Sequence, residues 1–586
     1  MFWNKLIIGG ALDDEPQQRT QQPKYSLVCI AVLYALIVTA LFARPLFDSG
    51  DLVASLHGKD VGNYFAPIRD FGYSELRQGN LPLWNPYEFS GTPYLGTFQP
   101  ALLYPINLMY LVLPLPKALN LDMALHVFLL GLFMAAWMLN RGLHAVAAFF
   151  CGLMLMLSGP FWLHVAAGHM TMLATLAWTP LIFHAADEVM DRQSTGWTFI
   201  GIFAVTMQLL AGLPQSCYAT AMALGVYILV RLGSCGNKRR TIIQLAFFAV
   251  APAFLGAAQL LPGMAVGEES IRAGGLPYAF ASDFAFPLWN LVTALAPSVY
   301  GDTTFVPYWG QSYLWEASAF VSITGLVLVV LGFADGPSRI RFAYGAIALL
   351  LLVLAVGDAT PLYRVFFELV PGFDRFRAPT RYLFHATLFL VLLAGLGLDG
   401  LLKRQMPPRW PFVVLAVLAA GVFAVAAWLS IIPHGDNAWS RFMLLSYLSE
   451  SHAWKYTPQF FHRATYQASF SLLIAAGTLL TLALLLAWSR HSRKAVYAVL
   501  VLGVIELLAF STLTRGSFHL DDARRFAVAK MAERMSPEDR LLDFTRNCSS
   551  VWERVPAIRG YDPVQLMRYI QFMILTQGGD PNSPFS

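Results

Sequence analysis

The chain has 586 residues, of which 57% are hydrophobic and 13% are charged, and its formal net charge is +5. In soluble domains roughly a quarter of the residues are charged, so this composition excludes a water-soluble fold. No basic run interleaved with aromatic residues occurs outside short membrane-flanking loops, which excludes nucleic acid as a partner. The five cysteines form neither CxxC pairs nor metal-ligand spacings, and we interpret them as packing residues.

Apolar windows long enough to cross a bilayer, about 20 residues each, recur along the chain. They centre near residues 36, 129, 154, 178, 204, 223, 252, 325, 349, 392, 421, 477 and 503. The mostly polar segment 1–25 contains no convincing signal-peptide core, so we interpret the first window as a retained helix. The sequence therefore predicts an all-α polytopic membrane protein with about thirteen transmembrane helices.

Lysine and arginine concentrate in alternate loops between these windows. The basic loops contain Arg141, Arg192, Arg231 with Lys238 to Arg240, Arg339 with Arg341, Lys403 with Arg404 and Arg409, and Arg490 with Arg493 and Lys494. Because cytoplasmic loops carry this excess, we predict a cytoplasmic N-terminus and an extracytoplasmic C-terminus. The predicted divisions are a cytoplasmic segment 1–25, a transmembrane domain 26–513 and an extracytoplasmic tail 514–586.

The first long outside loop begins with an amphipathic pattern. Between Val61 and Ile68 the apolar residues recur at i, i+3, i+4 and i+7, although Pro67 would kink a helix there. This pattern predicts a short interfacial helix that lies on the membrane surface. Asp60 stands at its N-terminal end, where an ordinary N-cap is one explanation of the carboxylate.

Several short stretches of the predicted outside segments carry a family resemblance. They are Gly58 to Asp60, Leu81 to Pro86, Gly91 to Pro93, Gln99 to Pro105, Ala167 to His169, Ala211 to Gln215, Leu261 to Arg272, Tyr308 to Gly310, Trp315 with Glu316, and Arg375 to Arg381. Together they resemble YfhO-like bacterial membrane proteins, a family similar to the GT-C class of polyprenyl-phosphate-dependent glycosyltransferases. The chain departs from that family at Leu213, where relatives often have histidine, and in its shorter C-terminal tail.

The resemblance implies a GT-C-like fold and an inverting hexosyl- or pentosyltransferase. The donor would be a polyprenyl-phosphate sugar, and the acceptor a glycan, polymer or lipid of the cell envelope, on the outer face of the bacterial inner (plasma) membrane. In that class an acidic residue of the first outside loop takes the proton of the acceptor hydroxyl, and Asp60 matches it. Chemistry agrees, because an attacking hydroxyl needs a base within hydrogen-bonding reach at the headgroup level.

Four arginines are candidate ligands of the donor phosphate. Arg375, Arg377 and Arg381 cluster before the tenth window, and Arg272 lies on the preceding long outside loop. The planar guanidinium donates two parallel hydrogen bonds, which suits phosphate. Contacts with lipid headgroups, or ion pairs with nearby acids, are the alternative explanation.

Further candidates are a histidine and three acids. His169 could contact a sugar, a phosphate or a metal, and Asp70 could act as a second acid. Glu269 and Glu316 could orient the acceptor or, with Asp60, bind a divalent cation. A structural histidine and solvated acids are the alternatives. The residue spacing requires no metal, and no other cofactor is implied.

Aromatic and amide side chains complete the candidate set. Trp84 and Gln99 of the first outside loop are candidate substrate contacts, and interfacial aromatic belts are the alternative for the tryptophan. The other aromatic candidates for sugar stacking are Tyr104, Trp289, Tyr308, Trp309 and Trp315. In the tail we predict a turn from Arg559 to Pro563 and a surface helix over about 521–540, which would cap the outer face.

Two other functions are compatible with a polytopic chain. A flippase or transporter of lipid-linked sugars would need ionisable residues near mid-membrane, and the predicted spans are almost uncharged. A non-catalytic assembly partner of envelope machinery would use the outside loops as a docking surface.

Overall fold

A computed structural model describes residues 25–233, 235–334, 339–403, 409–432, 438–445, 457–524, 528–536, 538–543 and 548–581. The predicted segment 1–25 thus lies outside the described residues except for Tyr25. Each of the thirteen predicted windows falls on one helix or on two consecutive helices. These helices are Ser26–Leu41, Leu115–Asn140, Ala145–Met156, Gly159–Ala167, Met170–Ala177, Thr179–Arg192, Thr195–Leu210, Pro214–Leu232, Lys238–Leu255, Ala257–Glu268, Ile323–Ala334, Arg339–Ala355, Tyr382–Lys403, Trp410–Ile431, Pro458–Ser489 and Arg493–Thr514.

The connections contain shorter elements. The short α-helices are Ala43–Phe47, Ala66–Arg77, Met109–Val112, Tyr278–Ala281, Pro361–Leu369, Ala438–Leu445, Leu520–Arg524, Val528–Ala532, Ser549–Trp552 and Met567–Thr576. The 3-10 turns are Leu95–Thr97, Pro105–Leu108, Leu288–Ala294, Gly357–Ala359, Phe373–Arg375 and Pro379–Arg381. Two small antiparallel sheets pair Leu52–Val53 with Phe518–His519, and Trp84–Asn85 with Thr92–Pro93.

Six of the described helices are long and apolar enough to cross a membrane, or eight if each of two bent pairs is one span. The chain is therefore a multi-pass membrane protein, but length and composition do not establish the predicted number of thirteen spans. Several windows fall on helices shorter than 18 residues, among them Ser26–Leu41, Thr195–Leu210 and Ile323–Ala334. Such helices are shorter than the roughly 20 residues that a straight span needs.

One of the two bent helix pairs packs against the first loop, where a Cβ on Gly96 would lie 2.4 Å from Val266. Helices Lys238–Leu255 and Ala257–Glu268 meet at 78°. Pro252 lies inside the first helix and cannot donate a backbone hydrogen bond, and the N–H of Gly256 returns to the Pro252 carbonyl at 2.8 Å. The bend therefore has a local cause in the sequence.

At one end of the helices, a buried carboxylate joins two of the loops predicted to be cytoplasmic. Asp187 is 1% exposed, and its carboxylate accepts a hydrogen bond from Nη1 of Arg141 at 2.6 Å. Arg231 also contacts Asp187, while the indole N–H of Trp137 donates to it at 2.7 Å. A charge buried this deeply requires such partners. The two basic loops therefore meet at one end of the molecule, as the alternating charge pattern predicts.

The interfacial helix predicted in the first outside loop is not confirmed, because its apolar residues are buried inside the protein. A π-helical turn, Val61–Phe65, continues into the helix Ala66–Arg77, and Pro67 is accommodated in its first turn. Val61, Tyr64, Phe65 and Ile68 are all at most 4% exposed. These residues pack inside the protein, in part beneath the C-terminal tail, where a Cβ on Gly62 would lie 3.1 Å from Phe518 and Ala523.

The tail packs against the first loop and is hydrogen-bonded to it. It pairs as a strand with the first loop, and the N–H of Cys548 donates to the carbonyl of Asn63 at 2.7 Å. The N–H of Ser90 donates to the carbonyl of Ala557 at 2.8 Å. Of the surface helix predicted over 521–540, the described residues are helical over Leu520–Arg524 and Val528–Ala532, and residues 533–536 are not helical.

Candidate active site

Asp60 lies at the start of the π-helical turn, but its side chain accepts no hydrogen bond from the first N–H groups of that turn. The ordinary N-cap explanation therefore does not account for it. One carboxylate oxygen instead lies 3.4 Å from Nε2 of His169, and the other lies 3.5 Å from the hydroxyl of Tyr561. Burial raises the pKa of Asp60 to about 6, against the opposing effects of Tyr561, Lys59 and Arg381.

Gly168 explains why His169 reaches Asp60. Its φ is +77°, and a Cβ there would lie 2.6 Å from the backbone nitrogen of Val61, so only glycine allows this close approach. Nδ1 of His169 lies 2.9 Å from Nδ1 of His164, and the two rings stack with centroids 5.0 Å apart. Burial, and to a lesser extent the His164 ring, lowers the pKa of His169 to about 3. His169 is therefore neutral at physiological pH.

Glu316 lies on the other side of the histidine pair and is 7% exposed. It accepts a hydrogen bond from the Thr380 hydroxyl at 3.1 Å and lies 3.8 Å from Nε of Arg381. Nη1 of Arg381 donates to the side chain of Gln215 at 2.6 Å, and the amide of Gln215 donates to the carbonyl of Arg377. This chain of contacts fixes the segment that contains the predicted arginines.

Three arginines face one another beside these groups: Arg272, Arg377 and Arg381. Burial and the guanidinium groups of the other two lower the pKa of Arg272 to about 10. The pKa of Arg377 is also lowered, mainly by burial, although Asp283 opposes this at 3.9 Å. Nε of Arg272 and Nε of Arg381 are buried and have no hydrogen-bond acceptor among the described residues. Positive charge is thus concentrated here, and guanidinium groups in such a cluster suit a multivalent anion.

A run of three aromatic rings lies beside His169, whose ring centroid is 6.0 Å from that of Trp315. Phe284 stacks on Tyr313 at 5.4 Å, and Tyr313 stacks on Trp315 at 5.0 Å. A cation lies over each end of the run, Lys59 over Trp315 and Arg377 over Phe284. The predicted aromatic residue Trp315 is thus present at the site, where it holds a cation as well as neighbouring rings.

Tyr561 is held near Asp60 by the chain that flanks it. The N–H of Tyr561 donates to Glu88 at 3.0 Å, and the Cys548 thiol donates to the same carboxylate oxygen at 2.9 Å. Asp562 accepts from the hydroxyl of Tyr64 at 2.6 Å. Burial raises the pKa of Glu88 and the pKa of Asp562, each to about 7. Two buried acids of the tail and first loop therefore anchor Tyr561.

Two of the predicted acids lie outside this cluster and bind the tail. Asp70 pairs with Arg554 at 2.9 Å, and Glu269 pairs with Arg568 at 2.6 Å. Both arginines belong to the C-terminal tail, so these acids contribute to its docking. Neither joins the contacts described for Asp60.

Three other predicted residues also take structural positions. Trp84 is half exposed and packs over Gly91, where a Cβ would lie 2.7 Å from the indole. The side-chain oxygen of Gln99 accepts from the Thr171 hydroxyl at 3.0 Å. Arg375 exposes its side chain and offers its carbonyl to Nη1 of Arg272 at 3.1 Å.

A metal-type donor set occurs at the centre of the site. Ligand atoms of His164, His169 and Glu316 lie within 4.8 Å of one another. Sequence spacing shows no third ligand near His169, because Glu316 comes from a segment almost 150 residues later. Two imidazoles and a carboxylate are a donor set that divalent transition metals accept.

Sequence reasoning recognised Tyr561 only as part of a turn and did not single out Lys59, Gln215 or Thr380. Lys59 and Gln215 lie within the family-like stretches, and that was the available signal. Nothing in the local pattern of Tyr561 points to a residue 501 positions earlier in the chain.

Comparisons with known proteins show a similarity of fold to solved structures, but no similarity of sequence to a known family. No family model matches the sequence, and no curated protein sequence matches it significantly. The structure is similar to that of ArnT from Cupriavidus metallidurans bound to undecaprenyl phosphate, with a TM-score of 0.51 and 14% identity over 95% of this chain and 90% of that chain. This similarity supports the GT-C-like fold predicted from the sequence, whereas the YfhO-like family itself is not confirmed.

Two further solved structures are less similar. The mycobacterial arabinofuranosyltransferase AftD gives a TM-score of 0.48 at 12% identity, over 93% of this chain and 33% of that chain. The Archaeoglobus fulgidus oligosaccharyltransferase gives 0.40 at 12% identity, over 92% of this chain and 65% of that chain.

The anchoring of the tail should depend on pH. Glu88 and Asp562 have raised pKa values in the folded state, so their contribution to stability is full below about pH 4 and is lost as the pH rises through about 7. We expect the wild type to melt at a lower temperature, and its tail to be cleaved faster by protease, at about pH 8 than at about pH 5.5.

Glu88→Gln is the matched variant, because the amide keeps the shape and cannot ionise. It should flatten this pH dependence. Stability of the wild type that rises from about pH 5.5 to about pH 8, or an equal slope in the variant, would contradict the assignment.

Proposed function

We propose that the protein is an inverting glycosyltransferase that moves a sugar from a polyprenyl-phosphate donor to a hydroxyl of a cell-envelope glycan, polymer or lipid. Asp60 is the general base of this reaction. Arg272, Arg377 and Arg381 bind the donor phosphate.

One observation carries this proposal: an uncapped carboxylate lies near a cluster of three arginines in which Arg272 has no ion pair among the described residues, and the ion pairs of Arg377 and Arg381 are long, at 3.9 and 3.8 Å. Arg381 lies close enough to Asp60 for its guanidinium to oppose the rise in the pKa of that carboxyl. A base for a hydroxyl and a site for a phosphate are the two groups that glycosyl transfer from a lipid phosphate requires.

The reaction balances with these groups alone. The acceptor oxygen forms a bond to the anomeric carbon while the bond from that carbon to the phosphate oxygen breaks. The acceptor proton passes to Asp60, and the electron pair leaves with the polyprenyl phosphate. Negative charge grows on the leaving phosphate, and three preorganised guanidinium groups stabilise that charge more in the transition state than in the substrate. A single displacement inverts the anomeric centre and needs no enzyme nucleophile.

The surroundings of Asp60 suit a base. With a pKa of about 6, the carboxyl is mostly ionised at neutral pH and is a stronger base than an ordinary aspartate. The neutral His169 ring and the Tyr561 hydroxyl hold the carboxylate without fully neutralising it. Both contacts are longer than strong hydrogen bonds, so a substrate hydroxyl can compete for the oxygen atoms.

The comparison of folds supports the lipid phosphate. ArnT, whose fold this chain shares, has been crystallised with undecaprenyl phosphate. Asn120, near the start of the helix Leu115–Asn140, bonds to Leu52 and Ala54 of the first loop, whereas Arg141 follows the other end of that helix and pairs with Asp187. The first loop and the basic loops therefore lie at opposite ends of the molecule. With the basic end cytoplasmic, we place the N-terminus in the cytoplasm and the reaction on the outer face of a bacterial inner membrane.

A divalent cation would be held by His164, His169 and Glu316, and it would supply positive charge beside the leaving phosphate. We expect purified protein to bind Mn²⁺ or Zn²⁺ by calorimetry, and Glu316→Gln to weaken binding at least tenfold, because a neutral amide is a poorer ligand. Glu75→Gln, on the helix Ala66–Arg77 and outside the donor set, is the control. Equal binding by both variants would remove the cation from the proposal.

Transport without chemistry is the less favoured alternative. Ionisable side chains do occur in the described spans, but they have local partners. Glu506 accepts hydrogen bonds from the N–H groups of Ile323 at 2.6 Å and Thr324 at 3.2 Å. It therefore caps the N-terminus of the neighbouring helix Ile323–Ala334. Asp122 pairs with His126 of its own helix at 2.8 Å. Residues engaged in this way form no open ion pathway.

The first test is Asp60→Asn in protein reconstituted into liposomes. Loss of the base should lower the transfer of radiolabelled sugar from polyprenyl-phosphate donors by about 10²- to 10⁴-fold, while donor binding changes little. Glu75→Gln makes the same chemical change in the same loop, where the carboxylate contacts Asn80, and should keep wild-type activity. Equal activity of the two variants at matched folded yield would place the base elsewhere.

The second test separates the arginines. Arg272→Gln removes a cluster member and should raise the KM for the donor roughly 10- to 100-fold, as expected for the loss of charge-assisted hydrogen bonds. Arg375→Gln, whose side chain is exposed, should change it less than about threefold. If both variants respond alike, or if only Arg375→Gln raises KM, the assignment of the phosphate site is wrong.

A further inference from the structure

The C-terminal helix Met567–Thr576 is unusually apolar for an element outside the bundle. Seven of its ten residues are apolar or aromatic, yet none of the ten is buried. Phe572 is 59% exposed and Leu575 is 61% exposed. An isolated helix of this length and composition is not stable in water without a surface to cover it.

Backbone hydrogen bonds tie this helix to the end of the bent pair Lys238–Leu255 and Ala257–Glu268, a candidate membrane span. The N–H of Met567 donates to the carbonyl of Glu269 at 2.8 Å, and the N–H of Ile271 donates to the carbonyl of Gln565 at 3.0 Å. Ser270 and Leu566 form an antiparallel bridge between these bonds. The helix therefore begins at the level where the broken span 238–268 ends.

That span presents apolar residues to its surroundings up to this point. Leu261 is 65% exposed and Met264 is 60% exposed on the helix Ala257–Glu268. In a membrane protein, exposed leucine and methionine on a spanning segment face lipid. The exposed face of the C-terminal helix continues this lipid-facing surface.

The polar groups of the helix fit an interface. Its charged residue Arg568 pairs with Glu269 at 2.6 Å, and this pair stands at the end from which the chain enters. Phe572 and Leu575 follow Arg568 at spacings of four and seven residues, so the three share one face. An aromatic and an aliphatic side chain beside a paired, exposed arginine is the arrangement of a helix that lies in the headgroup region.

We propose that the helix Met567–Thr576 lies in the boundary between lipid headgroups and acyl chains at the Asp60 end of the protein, with Phe572 and Leu575 inserted towards the acyl chains. The interfacial role expected for residues 61–68 thus belongs to the C-terminal helix. The proposal concerns the membrane contact and does not depend on the transfer chemistry.

Electron paramagnetic resonance can test this in the full-length protein. Phe572→Cys and Leu575→Cys would be made in a Cys29→Ser background, since Cys29 is the exposed native cysteine among the described residues, and would carry a nitroxide label in nanodiscs. Ser536→Cys, exposed in a polar part of the tail, is the matched control. Accessibility to oxygen, which partitions into lipid, is compared with accessibility to a water-soluble nickel chelate.

We expect labels at 572 and 575 to be several-fold more accessible to oxygen than to the nickel chelate, and the label at 536 to show the reverse. Nickel accessibility at 572 and 575 equal to that at 536 would place the helix in water and overturn the proposal. Shielding of both positions from both reagents would show that protein covers the helix, which would also overturn it. Agreement between the two positions guards against a local effect of either substitution.

Discussion

The pairing of the first loop with the C-terminal tail is the constraint on which the candidate site depends. Apart from the helix Ala66–Arg77, the regular elements of the loop 48–114 are at most five residues long, so many of its buried backbone groups need partners from elsewhere. The tail supplies them as a short strand against Leu52–Val53, as the N–H of Cys548, and as the carbonyl of Ala557. The same docking brings Tyr561 to Asp60, whose pKa is raised by burial.

Electrostatic imbalance defines the chemistry at this end of the molecule. Asp187, at the opposite end, is a fully paired charge, because two arginines, a tyrosine and a tryptophan all donate to its carboxylate. Near Asp60 the charges are less completely paired, since Arg377 and Arg381 have ion pairs of only 3.9 and 3.8 Å, and Nε of Arg272 and Nε of Arg381 have no hydrogen-bond acceptor in the described structure. An anionic substrate would supply those acceptors, whereas the donors around Asp187 already share one.

Much of the fold, and part of the site, could be predicted from the sequence. Every apolar window falls on helix, since bilayer-length hydrophobicity is a strong local signal, but the bend at Gly256 and several short helices prevent a simple count of spans. Asp60, His169, Glu316, Arg377 and Arg381 were all predicted and do meet. Their predicted roles stay predictions, because geometry alone tests none of them.

The misplaced predictions share a physical cause: a sequence pattern does not say what covers a residue. The apolar face of 61–68 has the period of an interfacial helix, yet the protein itself covers it. Asp70 and Glu269 look like free outside acids, yet tail arginines bind them. Among four similar arginines, only tertiary contacts distinguish Arg272, which joins the cluster, from Arg375, which points away.

The distance along the chain between Asp60 and Tyr561 has a consequence for biogenesis. Tyr561 follows Asp60 by 501 residues, and the anchors that hold it, Cys548 and Asp562, are equally late. During synthesis the helices with Asp60 and the arginines enter the membrane long before the tail is translated. An unfinished chain therefore lacks the Tyr561 hydroxyl beside Asp60, and the contacts of the site are complete only once residues 548–562 have been translated.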